Sequence, residues 1–157
     1  MLDINTVKGW QKALEKTLYH EFAHSIIKKP VEKWTLMDSI VYEGLADNFS
    51  EYIFQKGPPV WSTVVSFKKC REYFPKIKKV INSKTWKVYG AVFLGRGEYP
   101  LWLGYSIGYL VVKSFLKNNS GLKWKQIIAL STEEILKRSD FIKTASNNLG
   151  VYKLNIC

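Results

Sequence analysis

Apolar residues recur along this chain at three- and four-residue intervals, the period of a helix and not of a strand. Trp10, Leu14, Leu18, Phe22 and Ile26 form one such stripe, which predicts a helix from about Thr6 to Ile27. Asn5 or Thr6 suits its N-cap, and Pro30 lies just past its end. Val41, Leu45, Phe49 and Ile53 form a second stripe, on a helix expected from about Leu36 to Phe54. Thr35 and Asp38 have capping-box spacing at its start, and Gly57-Pro58-Pro59 ends it. Residues 62–82 read as one or two shorter helices, broken near Pro75. Residues 83–100 read as irregular. Trp86, Val88, Ala91 and Phe93 suggest at most a short extended piece, and Gly90, Gly95, Gly97 and Pro100 favour loop. A further helix is expected from Leu101 to Leu116, ended by Asn118-Asn119-Ser120-Gly121. Two short helices follow, at about 123–129 and 132–138, the second opened by Ser131 and Glu134 at capping-box spacing. The strand signal is weak throughout. The pattern predicts a single, mostly α domain over residues 1–157.

Composition sharpens this only in part. A chain of 157 residues with 46% hydrophobic and 24% charged residues is ordinary for a folded domain and argues against disorder. The longest uncharged stretch, Tyr99 to Val112, is too short to span a bilayer and reads as a buried helix. No secretory signal is visible, because Asp3, Lys8, Lys12, Glu15 and Lys16 interrupt the start of the chain. Two distant cysteines, Cys70 and Cys157, define neither a disulfide framework nor a cysteine metal site. Together these features lead us to expect a reduced, cytoplasmic protein. The net charge of +11 raises the prior for an acidic partner. It is concentrated between Lys68 and Lys87, where eight basic residues stand against Glu72 alone.

The informative segment is His20-Glu21-Phe22-Ala23-His24, an HExxH motif inside the first helix. Residues four apart lie about 40° apart around a helix and one turn apart along it. Two imidazoles so placed can bind one tetrahedral zinc, with Glu21 beside them in reach of a bound water. Short motifs also arise by chance, with the histidines satisfied in a core or left in solvent. Three features weigh against chance. The chain has only two histidines, and both are here. They lie roughly opposite the Leu14–Leu18–Phe22 stripe. Their side also carries Ala13, Ala23 and Ile27 in place of lysines, which predicts a helix buried on both sides. A zinc site needs a third protein ligand and an open fourth position. Glu43 and Asp47 share a face of the second helix, with Glu51 one turn further on. Carboxylates at that spacing usually mark a solvated face. Folding the second helix back on the first would instead bring Glu43 to the histidines and Asp47 to the other N–H of one of them.

HExxH followed some twenty residues later by ExxxD resembles the gluzincin-type, thermolysin-like metallopeptidases. The longer run is more similar still to a bacterial family of predicted zinc-dependent proteases, whose members carry HExxH, then EGLA, then GYxxGY. Here these segments are His20–His24, Glu43-Gly44-Leu45-Ala46, and Gly104-Tyr105-Ser106-Ile107-Gly108-Tyr109, and the similarity covers most of residues 18–141. The resemblance implies Zn2+ on His20, His24 and Glu43, Glu21 as general base, Asp47 as the acceptor behind a ligand, and a peptide or protein substrate. Gluzincins usually carry a β-sheet upstream of the HExxH helix, whose edge strand binds substrate. Only 19 residues precede His20. The expected fold is therefore a helical zincin-like domain whose upstream sheet is missing or abbreviated, or a chain truncated at its N-terminus.

Hydrolysis through a metal-activated water needs a second donor for the tetrahedral oxyanion. Tyr105 is the first candidate, Tyr109 the second and Arg96, in the Gly95–Gly97 loop, the third; both tyrosines are equally compatible with a plain core role. Two rival readings remain. Tyr73, Phe74 and Trp86, interleaved with the Lys68–Lys87 run, are the makings of a module for nucleic acid or an anionic surface, against the simpler reading of a solvated helical face. Alternatively the chain binds zinc but is proteolytically inactive, although a purely structural site has no need of Glu21.

Overall fold

The computed structural model describes residues 9–27 and 34–141. Among them are seven α-helices and no strand. The mostly α class expected from the periodicity is what the chain adopts.

Helix α1 (Trp10–Ile26) starts after Gly9, whose φ of 90° is open to glycine at no steric cost. It therefore begins later than the expected Thr6; Asn5, Thr6 and Pro30 lie outside the described residues. Helix α2 (Leu36–Phe54) has the expected bounds. The Thr35 hydroxyl accepts the Asp38 N–H, and the Asp38 carboxylate accepts the Thr35 N–H at 2.9 Å. Buried residues surround α2, from Ile40 and Val41 through Leu45 and Asp47 to Ser50. It is the central helix, with α1 on one side and α5 (Leu103–Asn118) on another. Gly44 and Gly108 meet at the α2–α5 crossing and let the two backbones touch.

Two regions depart from the sequence expectation. Pro75 does not break the chain: α3 (Phe67–Val80) runs through it. The missing N–H and the ring clash cost about 3 kcal/mol in a helix interior. Phe74 and Ile77 are fully buried, each contributing about 1.5–3 kcal/mol, and with Cys70 they hold the helix on the core. Residues 86–94, read as irregular, form α4 (Trp86–Leu94). Thr85 caps it by accepting the Val88 N–H, and Gly95 ends it at a φ of 63°. Of the three glycines that suggested loop, Gly90 is a buried helical position and Gly95 a helix terminus, and only Gly97 lies in the loop beyond. A single 3-10 turn at Val60–Ser62 follows α2, and α6 (Trp124–Ile127) and α7 (Thr132–Lys137) follow α5. Ser131 and Glu134 form the expected capping box.

The apolar stripe of α1 is also not its packing face. Leu14, Leu18, Phe22 and Ile26 are 40–57% exposed. Instead His20, Ala23 and Ile27 turn inward against α2. The helix is thus buried on the histidine side and open on the other. Among the described residues no helix is long and apolar enough to cross a membrane. Cys70 is buried with a free thiol, and Cys157 lies outside the described residues.

Candidate metal centre

His20 and His24 lie one turn apart on α1, facing α2, which presents Glu43 from its second turn. His20 Nε2 and His24 Nε2 are 2.9 Å apart, and Glu43 Oε2 lies 3.1 Å from the first and 3.2 Å from the second. Three lone-pair atoms from two helices therefore converge on one point. A tetrahedral zinc with bonds near 2.1 Å spaces its donors about 3.4 Å apart. The observed triangle falls within a few tenths of an ångström of that, so the donor set fits the ion. The chemistry of the set fits as well: two carboxyl groups, Glu43 and Asp47, stand against two imidazoles, a cluster that a divalent cation would balance.

Asp47, fully buried one turn along α2, accepts the Nδ1–H of His20 on Oδ1 at 2.7 Å. That bond places the ring proton on Nδ1 and leaves Nε2 free to ligate. Burial alone would lower the pKa of His20, but bonds to Asp47 and Glu43 outweigh it and push it up. Burial would raise that of Glu43, and the two histidines instead hold it well below the usual carboxylate range. The pocket thus favours positive charge on the His20 imidazole.

His24 is held differently. Its ring stacks on Tyr42 at 4.4 Å between centroids and 27° between planes, and Trp34 meets Tyr42 edge-on. The buried His24 Nδ1 has no hydrogen-bond partner among the described residues. Glu21 is exposed on α1, next to the histidines in sequence, and its charge reaches the Tyr42 phenol.

Of the two candidate tyrosines, the structure brings one to the cluster. Tyr105, on the first turn of α5, lies edge-on to His20 with centroids 6.4 Å apart. Burial raises its pKa, and the Glu43 charge adds to this, as does a hydrogen bond with Tyr89. Burial thus favours the protonated, neutral hydroxyl. Tyr109, one turn further on, donates instead to Glu51 Oε2 at 2.9 Å, beside Lys113. Glu51 is eight residues beyond Glu43, about 12 Å along the helix, so Tyr109 serves another contact. Arg96 is exposed beyond the end of α4.

The basic run forms the outer face of α3 and the start of α4. Phe74 is buried in the core, Tyr73 packs edge-on to Tyr99, and Lys76 pairs with Glu98 at 2.6 Å. Only Trp86 of the three interleaved aromatics is exposed, and it stacks on Tyr89.

Sequence reasoning missed four residues around the cluster: Tyr42, Tyr89, Trp61 and Ser62. Tyr42 precedes Glu43, and that adjacency was the only available signal. Trp61 and Ser62 follow Pro58-Pro59, which reads as a helix stop and nothing more.

An HExxH helix met by a carboxylate from the next helix defines the class: a helical scaffold built around a candidate zinc site. Residues 4–137 match the model of the family described as predicted Zn-dependent protease (DUF2268), and the chain belongs to that family. No curated protein and no solved structure matches it.

Proposed function

We propose that this protein is a zinc-dependent peptidase that hydrolyses peptide bonds with Glu21 as general base. The observation that carries the reading is the convergence of His20 Nε2, His24 Nε2 and Glu43 Oε2 within 3.2 Å of one another, with His20 oriented from behind by Asp47. The family name supports the same class of activity.

In this reading His20, His24 and Glu43 would hold the ion. Zinc bound there would supply a Lewis acid and lower the pKa of water toward neutrality. Glu21 takes a proton from the attacking water and later delivers it to the leaving amine. Its exposure on α1 suits a group that must meet an incoming substrate. Tyr105 turns its hydroxyl from the Tyr89 oxygen to the carbonyl oxygen as that oxygen gains charge. Asp47 keeps His20 in the ligating tautomer. Such a site takes a peptide or protein substrate.

The test is metal content by mass spectrometry on wild type, His20→Ala, Glu43→Ala and Glu21→Gln, paired with a peptide-library digest. About one zinc per chain is expected in wild type, lost in the first two variants. Glu21→Gln should keep zinc and lose hydrolysis. Full peptidase activity in Glu21→Gln refutes the mechanism.

A further inference from the structure

We propose that Trp61 and Ser62, in the 3-10 turn after α2, are positioning residues of the metal centre that set its zinc affinity through Asp47. The inference rests on the reading of His20, His24 and Glu43 as metal ligands.

The Asp47 carboxylate has no exposed surface. Its Oδ1 accepts from His20 Nδ1 at 2.7 Å and from Trp61 Nε1 at 3.2 Å, and its Oδ2 accepts from the Ser62 hydroxyl at 2.5 Å. The last torsion of an aspartate is broad and two-fold, so no rotamer preference fixes the plane of that carboxylate. The indole and the hydroxyl fix it. They aim Oδ1 at the imidazole, and the His20 ring follows.

Both donors are neutral, which matters as much as their direction. A lysine or arginine in their place would form an ion pair with Asp47 and draw its charge away from His20. An indole N–H and a hydroxyl occupy two more of its lone pairs and leave the negative charge to the imidazole, where it strengthens the ligand. The Trp61 ring also stands edge-on to the His20 ring, with centroids 5.5 Å apart and planes at 88°, and walls its outer side.

The turn itself is pinned. Ser62 N–H reaches the Pro59 carbonyl at 3.2 Å, and Thr63 N–H reaches that of Val60 at 3.1 Å. From α5, the buried Ser106 hydroxyl donates to the Trp61 carbonyl at 3.1 Å and accepts the Val65 N–H at 3.4 Å. A chain of contacts thus runs from α5 through the turn to Asp47 on α2, and from there to His20 on α1.

The experiment measures the zinc dissociation constant by chelator competition for wild type, Ser62→Ala, Trp61→Phe and Ser50→Ala, with thermal unfolding and the visible spectrum of the cobalt-loaded proteins alongside. Ser50 is the matched control: it is buried on α2 and its hydroxyl donates to the Asp47 backbone carbonyl at 2.9 Å, not to the carboxylate. Ser62→Ala and Trp61→Phe should each weaken zinc by about ten- to a hundred-fold and shift the cobalt bands. Ser50→Ala should lose comparable thermal stability yet hold zinc within about twofold of wild type, with unchanged bands. Tight wild-type binding with Ser62→Ala and Trp61→Phe unaltered overturns this inference and leaves the metal site standing. Equal weakening in Ser50→Ala also overturns it, since the effect would then be one of general stability. A wild type that takes up no zinc overturns the metal reading, and this inference with it.

Discussion

Gly108→Ala tests how tightly the scaffold defines the site. A methyl at Gly108 would stand 2.1 Å from the Ile40 carbonyl oxygen and 3.1 Å from the Gly44 nitrogen, and one at Gly44 would stand 2.2 Å from the Gly108 oxygen. Both obstacles are backbone in helical hydrogen bonding, so neither swings aside as a side-chain tip would. The helices must separate by more than an ångström at the crossing, because an ordinary carbon–oxygen contact is about 3.4 Å. Overpacking of this kind costs about 1–3 kcal/mol and occasionally more. Alanine recovers about 1 kcal/mol of helix propensity. With backbone on both sides the cost sits at or above the top of its range, so the net loss should be about 2–3 kcal/mol. For a chain of this size that lowers the melting temperature by about 4–12 °C. Urea and thermal unfolding of the metal-free protein read it directly. Gly121→Ala is the control, since a Cβ there meets nothing within 4 Å. Because His20, His24 and Glu43 lie on α1 and α2 while Tyr105 lies on α5, hydrolysis should fall more than zinc affinity. A Gly108→Ala protein within about 0.5 kcal/mol of wild type refutes the close-crossing argument.

Three further outcomes follow from the described contacts. Tyr105→Phe should keep the fold and the zinc and lower kcat by about a hundred- to a thousand-fold, the loss typical of one oxyanion donor; an unchanged kcat removes Tyr105 from the mechanism. Thr35→Ala should cost about 1 kcal/mol in urea unfolding by removing the α2 cap, and wild-type stability would show that the capping box contributes nothing. Burial pushes the Cys70 thiol up to about 12, so at pH 8 only about one thiol in ten thousand is the reactive thiolate. In a Cys157→Ser background the folded chain should resist a thiol reagent at pH 8 and react on unfolding; fast reaction of the native chain would refute the burial.

Much of the fold and of the candidate site was legible, and particular residues show why. The bounds of α2 were readable because Thr35, Asp38 and Gly57-Pro58-Pro59 act locally on the backbone. The α3 and α4 expectations failed where local signals met tertiary packing. Pro75 disfavours helix, but the buried Phe74 and Ile77 outweigh it. Gly95 ends a helix that Thr85 had already started. The α1 stripe failed for another reason: periodicity shows which residues share a face, not which face meets a partner. The donor set was legible because the HExxH spacing dictates the placement of both imidazoles, and the Glu43–Asp47 spacing puts two carboxylates on one face of the next helix. Tyr105 and Tyr109 are one turn apart, and nothing in the sequence shows that Glu51 holds the second. Trp61 and Ser62 reach Asp47 across a turn with no periodicity of its own, so no pattern exposes them.

The EGLA and GYxxGY segments share a physical basis. Glu43 faces α1 and the histidines, while Gly44, its neighbour, lies against Gly108 on α5. In the GYxxGY segment Tyr105 faces the cluster, and a Cβ on Gly104 would run into the Phe93 ring at 2.7 Å. Each segment therefore pairs a residue at the cluster with a glycine that permits a close packing contact. Since α2 is gripped at Gly44, α5 helps to hold the helix that carries Glu43. The histidine–carboxylate cluster and the helix crossing are then linked through α2. A substitution at either glycine should act on the cluster without touching its side chains.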